Sequence, residues 1–437
     1  MKKILTSALL ITILSALTLT VGAENYPYRS DVLWVTVPNH ANWLYETGEQ
    51  AQVEVQFYRY GMPCDVEVSY AIATDLLAPD QQGTVCLKNG RATIRMGTAS
   101  KPCFRDLQLT AQVDGTTYKH HVKVGFSVDK IRPWSQQPKD FEQYWQQAKD
   151  EAARYPLKYT SEPYLPYCDD KVDCRLVKID LDSRHHALYG YLMIPRGARP
   201  GSCPVVLTPP GAGVKSIKNA YERAYFQHEG VIRLVTEIHG LDPRLSNETF
   251  SDLSHAFGNY LEMGLESPDT YYMRHVYLGL VKCIDLLTSL PEWDGRNVAT
   301  LGGSQGGALS LVAAALDPRV TLCVANHPAL SDMGAASKDG VTHGYPHFRR
   351  ELLTPAAVRT LSYYDVCSFA PFIKAKTYMT WGYNDNTCPP TTSYAVWNLL
   401  QCEKESLITP INEHWTSDAT NRQQLDWLLH HFTPVGR

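Results

Sequence analysis

The 437-residue sequence has no surplus of basic charge: 41 Lys and Arg stand against 45 Asp and Glu, a formal charge of −4. Binding to nucleic acid is dominated by clustered cations on phosphates, so that class of partner is excluded. Metal-site patterns are also missing. There is no His-Glu-x-x-His and no paired Cys-x-x-Cys, and His120-His121 and His185-His186 are adjacent rather than one helical turn apart. No glycine-rich phosphate loop follows a strand, so no nucleotide cofactor is implied. Internal repeats and low-complexity tracts are absent too. Beyond the first two dozen residues, no apolar run reaches the ~20 residues that cross a bilayer. A cofactor-free chain of globular composition is left, 44% hydrophobic and 20% charged.

The N-terminus carries the one long apolar run. Lys2 and Lys3 precede apolar Ile4 to Val21, and the run ends in small residues at Gly22-Ala23. This reads as a secretory signal over residues 1–23 cleaved after Ala23, with an uncleaved anchor as the alternative. The expected location is secreted or periplasmic, with no stable membrane anchor after cleavage. No cysteine lies near the cleavage point, which argues against a lipid anchor. The eleven cysteines are scattered and odd in number. Cys283 and Cys323 sit in apolar runs and read as small core residues. Cys168 with Cys174, or a pair among Cys64, Cys86 and Cys103, are the disulfide candidates, and spacing does not choose between them.

Residues 24–128 show period-two patterning. Val53, Val55 and Phe57 alternate with polar neighbours, as do Val66, Val68 and Tyr70. Two longer runs flank Asp114-Gly115, a hairpin signal. A small all-β, immunoglobulin-like sandwich is expected. Its aromatics Trp34, Trp43, Phe57 and Tyr58 suit either a sugar platform or sandwich core, and core is the commoner use. Ile131 to Pro138 is the linker. Asp140 is placed to cap a helix whose face is Phe141, Tyr144, Trp145, Ala148 and Ala152. From 129 to 437, strands and helices alternate. Apolar runs at 204–207, 231–238, 298–301, 320–325, 376–381 and 407–411 suit strands covered on both faces, hence an α/β sheet with helices on either side.

Between the apolar strand Val298 to Leu301 and an Ala/Leu-rich helix stands Gly302-Gly-Ser-Gln-Gly-Gly307. Gly-x-Ser-x-Gly at a strand-to-helix turn is the pattern of a nucleophile elbow. Glycines two before and two after the serine let strand and helix approach. Ser304 is therefore the candidate nucleophile. A serine hydroxyl needs a base, and in this architecture an acid and then a histidine follow in chain order. Asp385, after the strand Lys376 to Trp381, is the candidate acid. His414, after the strand Leu407 to Ile411, is the candidate base. Asp294, Asp332 and Asp365 precede the required strand, and His430 and His431 lie in a terminal amphipathic helix. His343 and His347 fall in a Gly/Pro-containing insertion and read either as loop residues or as substrate contacts. An oxyanion hole would take the amide of Gln305, at the helix start, and that of Ala212 (or Gly211) in the loop after Val205 to Thr208.

These residues resemble the acetyl xylan esterase / cephalosporin-C deacetylase family of α/β-hydrolases (carbohydrate esterase family seven). The resemblance spans roughly residues 130–432. It rests on Pro138-Lys-Asp-Phe-Glu-Gln-Tyr-Trp145, Tyr271-Tyr-Met-Arg-His-Val-Tyr277, Asp294-Gly-Arg296, the Ser-Gln elbow, Asp385-Asn-Thr-Cys-Pro-Pro390 and His414. It implies an α/β-hydrolase fold and a Ser304–His414–Asp385 triad. It further implies removal of O-acetyl groups from xylose-based sugars, and no cofactor. Ala212 matches a loop position where the family usually has tyrosine, and His239-Gly240-Leu241 stands where the family has Arg-Gly-Gln.

The reading of the whole is a secreted serine esterase acting on acetylated carbohydrate. Two rivals remain. A prolyl-oligopeptidase-type peptidase shares the triad order but usually carries a propeller, for which the N-terminal segment is too short. A glycan-binding protein with a non-catalytic hydrolase fold would not need the triad. The sequence leaves the oligomeric state open.

Overall fold

Alternating polar and apolar residues need a strand partner for their backbone and a second layer for their apolar face. A computed structural model, which describes residues 31–217 and 225–433, shows both. The leader expected at residues 1–23 lies outside the described residues. Nine N-terminal strands form two sheets: β1 (Val32–Pro38), β2 (Leu44–Tyr45), β3 (Ala51–Arg59), β4 (Met62–Pro63), β5 (Glu67–Thr74), β6 (Pro79–Cys86), β7 (Arg91–Gly97), β8 (Cys103–Val113) and β9 (Thr116–Phe126). One sheet runs β1-β3-β4 with β7 also paired to β3, and the other runs β2-β9-β8-β5-β6. Val53, Val55, Phe57, Val68, Ile72, Leu107, Leu109 and Val122 fill the space between them. Asp114 and Gly115 join β8 to β9 with φ of 48° and 78°, the left-handed conformation of a two-residue hairpin loop.

The second sheet is mixed and has nine strands in the order β10-β11-β12-β14-β13-β15-β16-β17-β18. These are β10 (Lys158–Pro163), β11 (Val172–Asp180), β12 (Ala187–Pro195), β13 (Cys203–Thr208), β14 (Ile232–Thr236), β15 (Trp293–Gly303), β16 (Leu322–Asn326), β17 (Lys376–Trp381) and β18 (Lys404–Ile408). Strands β10 to β12 are antiparallel, β12 meets β14 antiparallel, and every pair from β14 to β18 is parallel. The apolar runs do feed two faces. Val205, Leu207, Val298, Cys323 and Ala325 enter one core with the helices 141–153, 273–289 and 305–316. Val206, Ala299, Leu301, Leu322 and Val324 enter another with the helix 418–431. The resulting fold is mixed α/β with a large central sheet, preceded by an all-β unit.

Two local expectations change, and the aromatics take the core reading. Asp140 occupies the N-cap position of the helix Phe141–Ala153 but makes no side-chain cap. Its carboxylate accepts instead from the Tyr363 hydroxyl at 2.6 Å. All eleven cysteines are free thiols; the Cys168 sulfur meets Cys174 through its backbone, accepting from the amide at 3.2 Å and donating to the carbonyl at 3.7 Å. The aromatics do not form an open platform: Phe57 is fully buried, Trp34 packs edge-on against it at 4.7 Å, and Trp43 faces Tyr383 of the other unit. Among the described residues, no helix is long and apolar enough to cross a membrane.

Candidate active site

In a parallel sheet, functional side chains collect in the loops beyond the carboxyl ends of the strands. Ser304 follows β15 directly and precedes the helix Gln305–Leu316 with φ 58° and ψ −124°, a strained backbone for a residue with a side chain. The glycines explain why the turn closes. A Cβ on Gly302 would lie 2.3 Å from the Gly306 carbonyl oxygen, and one on Gly306 would lie 2.5 Å from that of Pro209. Strand, helix and the loop after β13 thus meet at backbone contact, as the spacing of the glycines predicts.

Asp385 lies in the loop after β17 and is wholly buried. Its Oδ1 accepts from the amides of Thr387 and Cys388, each at 2.8 Å. Its Oδ2 is 2.7 Å from His414 Nδ1. That arrangement orients the imidazole and leaves Nε2 for another partner. The loop returns to the elbow through Cys388, whose buried thiol is held far above its ordinary ionisation range, partly offset by the Ser304 side chain. His414 follows β18 and is half-buried. Sequence spacing and structure therefore agree in bringing acid and base together beside the elbow.

The segments that carry the two oxyanion candidates are tied together. Gln305 begins the helix, where backbone N–H groups have no intrahelical acceptor. Ala212 lies in the loop after β13, and Tyr260 ties that loop to the helix. The Tyr260 hydroxyl donates to Gln305 Oε1 at 2.6 Å and accepts from the Gly213 amide at 3.2 Å. Sequence reasoning missed Tyr260, which sits in a short 3-10 turn without motif. His239 lines the same corner: Nδ1 is 2.8 Å from the Tyr272 hydroxyl. Burial pushes its pKa down to about 4. Next to it, the Glu237 carboxyl accepts from the amides of Tyr189, His239 and Gly240, and burial raises its pKa to about 7.

A second histidine was also missed. His327 follows β16, its ring 4.4 Å from that of His414 and its Nε2 3.4 Å from where a Gly303 Cβ would stand. A histidine at the carboxyl end of a parallel strand was the available signal. Donor atoms of His327, Asp385 and His414 lie within 4.8 Å of one another. Both Asp385 oxygens are already engaged, by two amides and by His414, so this donor set is a poor match for a metal.

The rejected residues have other work. Asp294 accepts from the amides of Arg296 and Asn297 in a turn. Asp365 accepts from the amides of Asp332 and Met333, and Asp332 from those of Trp134 and Ser135 in the linker. His431 Nδ1 lies 2.8 Å from the Trp427 carbonyl within its helix. His347 is no solvated loop residue, since its Nε2 is 2.9 Å from the Thr387 carbonyl beside Asp385.

The family model for acetyl xylan esterase (AXE1) matches residues 126–431. An acetyl esterase, Axe7A, of Xylanibacter ruminicola is 54% identical over 433 residues, covering 98% of this chain and 96% of that protein. Solved structures share the fold. An acetyl xylan esterase from a Paenibacillus species has a TM-score of 0.60 at 24% identity, over 69% of this chain and 98% of its own. Acetyl xylan esterase 1 from a Thermoanaerobacterium species has a TM-score of 0.60 at 21% identity, over 70% and 98%.

Proposed function

The chain belongs to the acetyl xylan esterase family and is a carboxylic ester hydrolase, and from that premise we propose that it removes O-acetyl groups from xylan-type plant glycans through an acyl-enzyme on Ser304. The observation that carries the mechanism is the 2.7 Å contact between buried Asp385 and half-buried His414 beside a strained serine at a glycine-lined elbow. His414 takes the Ser304 proton, and Asp385 holds the imidazole in the tautomer that can do so. Ser304 attacks the acetyl carbonyl, and the amides of Gln305 and Ala212 receive the tetrahedral oxyanion. His414 then protonates the departing sugar hydroxyl. Water, activated by the same base, releases acetate and restores the serine.

The proposal extends to the chain as a whole. Residues 24–128 are read as an immunoglobulin-type sandwich and 129–437 as an α/β-hydrolase catalytic unit. The leader is removed after Ala23 on export to a secreted or periplasmic location. The substrate is an acetylated carbohydrate, and no cofactor takes part.

The test is acetate release from a panel of acetylated plant glycans and xylo-oligosaccharides, with Ser304→Ala alongside. The expected outcome is release from the xylan-derived members and a loss of roughly 10⁴-fold or more in Ser304→Ala. Unchanged hydrolysis by Ser304→Ala overturns the mechanism. Cleavage of prolyl anilides without ester hydrolysis moves the protein to the peptidase reading.

A further inference from the structure

One charged pair of the N-terminal unit is fully buried, and it lies against the catalytic acid. Lys123, on β9, has no solvent exposure, nor does Asp75, just past β5. Lys123 Nζ and Asp75 Oδ1 are 2.7 Å apart. The same ammonium donates to the backbone carbonyl of Asp385 at 2.8 Å, and the Lys123 amide donates to Asn384 Oδ1 at 2.9 Å. Asp75 reaches further round the loop: its Oδ2 accepts from the Thr391 hydroxyl at 2.8 Å, at the start of the helix Pro390–Leu399. Its backbone carbonyl accepts from Thr342 at 2.7 Å.

The contacts around the pair aim the same way. Residues two apart on a strand share a face, and His121, two before Lys123, has its Nε2 3.7 Å from Glu413, the residue before His414. Phe104 of β8 packs on Tyr383 at 5.0 Å between ring centroids, and Trp43 packs on it at 6.4 Å. One face of the N-terminal sheet therefore touches both loops that carry the acid and the base.

Burying two opposite charges carries a heavy desolvation cost, and well-packed apolar residues often stabilise a fold as well or better. A pair kept in such a place has a reason to be sought in geometry. Asp385 needs its Oδ2 held toward His414 while Oδ1 is fixed by amides. The ammonium on its own carbonyl fixes the main chain from the opposite side.

We propose that Lys123, held by Asp75, is a positioning residue for Asp385, so that the N-terminal all-β unit completes the active site rather than serving as an appended binding module. The inference rests on the assignment of Asp385 and His414 to catalysis. Removing the brace lets the 384–388 loop shift, and the imidazole loses its orientation without loss of the ester-binding surface. The effect falls on kcat and not on KM.

The experiment compares full-length parent, Thr391→Val, the double variant Asp75→Asn with Lys123→Met, and Ser304→Ala on p-nitrophenyl acetate. Thermal unfolding of each is measured alongside. The double variant leaves no unpaired buried charge. It is expected to lower kcat about 10-fold or more with KM within twofold, and to weaken or shift the low-field proton resonance of His414 Nδ1–H. Thr391→Val, which leaves the charges intact, is expected to lower kcat about 2- to 3-fold. Parental kcat in a folded double variant overturns the proposal; should that variant fail to fold, parental kcat in Thr391→Val does so. Ser304→Ala separates the two ideas. If it stays active, the catalytic assignment fails. If it is inactive while the variants that lack or weaken the brace match the parent, only the positioning role fails.

Discussion

Within the proposed site, Tyr260 is the clearest case of a single side chain that braces the machinery without touching a motif. Its hydroxyl gives one hydrogen bond to Gln305 and takes one from Gly213, so the two halves of the oxyanion site share one oxygen. Tyr260→Phe keeps the ring in its buried place and removes both bonds. The expected result is a kcat lowered about 10-fold, in line with loss of preorganised donors, with KM for a small ester little changed; steady-state kinetics measures it. Asp385→Asn is expected to be far more damaging, on the order of 10⁴-fold in kcat, because the amide favours the wrong imidazole tautomer. At this scale the proposed triad of Ser304, Asp385 and His414 was legible in the sequence because each follows a strand in the order that the proposed chemistry requires, and the structure brings Asp385 and His414 into contact. Tyr260 was not legible, since a tyrosine in a turn has no period and no neighbours that mark it. Lys123 was hidden differently. Flanked by Val122 and Val124, it looks like the solvent-facing member of an alternating strand, and only the partner layer reveals that its face is covered.

Among elements, the elbow is where sequence and structure correspond most closely, because steric limits on backbone approach leave glycine as the only choice. Gly306→Ala tests this. The added methyl would stand 2.5 Å from the Pro209 carbonyl oxygen and 3.2 Å from that of Pro210, both main-chain atoms. The loop that holds Ala212 must move away. The expected outcome is a loss of about 1–3 kcal/mol in stability, read by thermal unfolding. Turnover is expected to slow by about 10-fold or more as an oxyanion donor is displaced, with unchanged far-UV circular dichroism. The central strands were also legible, and β17 has the bounds that its apolar run predicts. The last strand was not. An apolar search places it at 407–411, yet β18 is Lys404–Ile408. It is the edge strand of the sheet and none of its residues is fully buried, so hydrophobicity carries little of its register. Pro410 also has no amide to offer a ladder.

For the molecule as a whole, sensitivity to acid follows from histidines kept neutral inside it. Burial lowers the His275 pKa from 6.5 to about 3, with the neighbouring His186 adding to the effect; the two rings stack at 4.5 Å. Between those values the unfolded chain binds a proton that the folded chain refuses, so stability falls as pH drops below about 6.5. Between pH 7 and pH 5 this single group accounts for at most about 2 kcal/mol. His275→Gln is expected to lose correspondingly less over that interval, as read by thermal unfolding at the two pH values. The opposite sign holds for Glu237. Its raised pKa of about 7 gives stability that is present below its ordinary value near 4.5 and is lost as pH rises toward 7.

The hydrogen bond between Lys123 and Asn384 joins positions 261 apart in the chain. A polypeptide growing from its amino end makes the supporting sheet early and the loop it supports almost last, so hydrolytic competence should appear only once nearly the whole chain has been synthesised. The same linkage restricts gene rearrangement. A chimera that exchanged its front segment for a foreign module would retain Ser304, Asp385 and His414 and still lose turnover. Lineages of this enzyme should therefore inherit the two ends together as one unit.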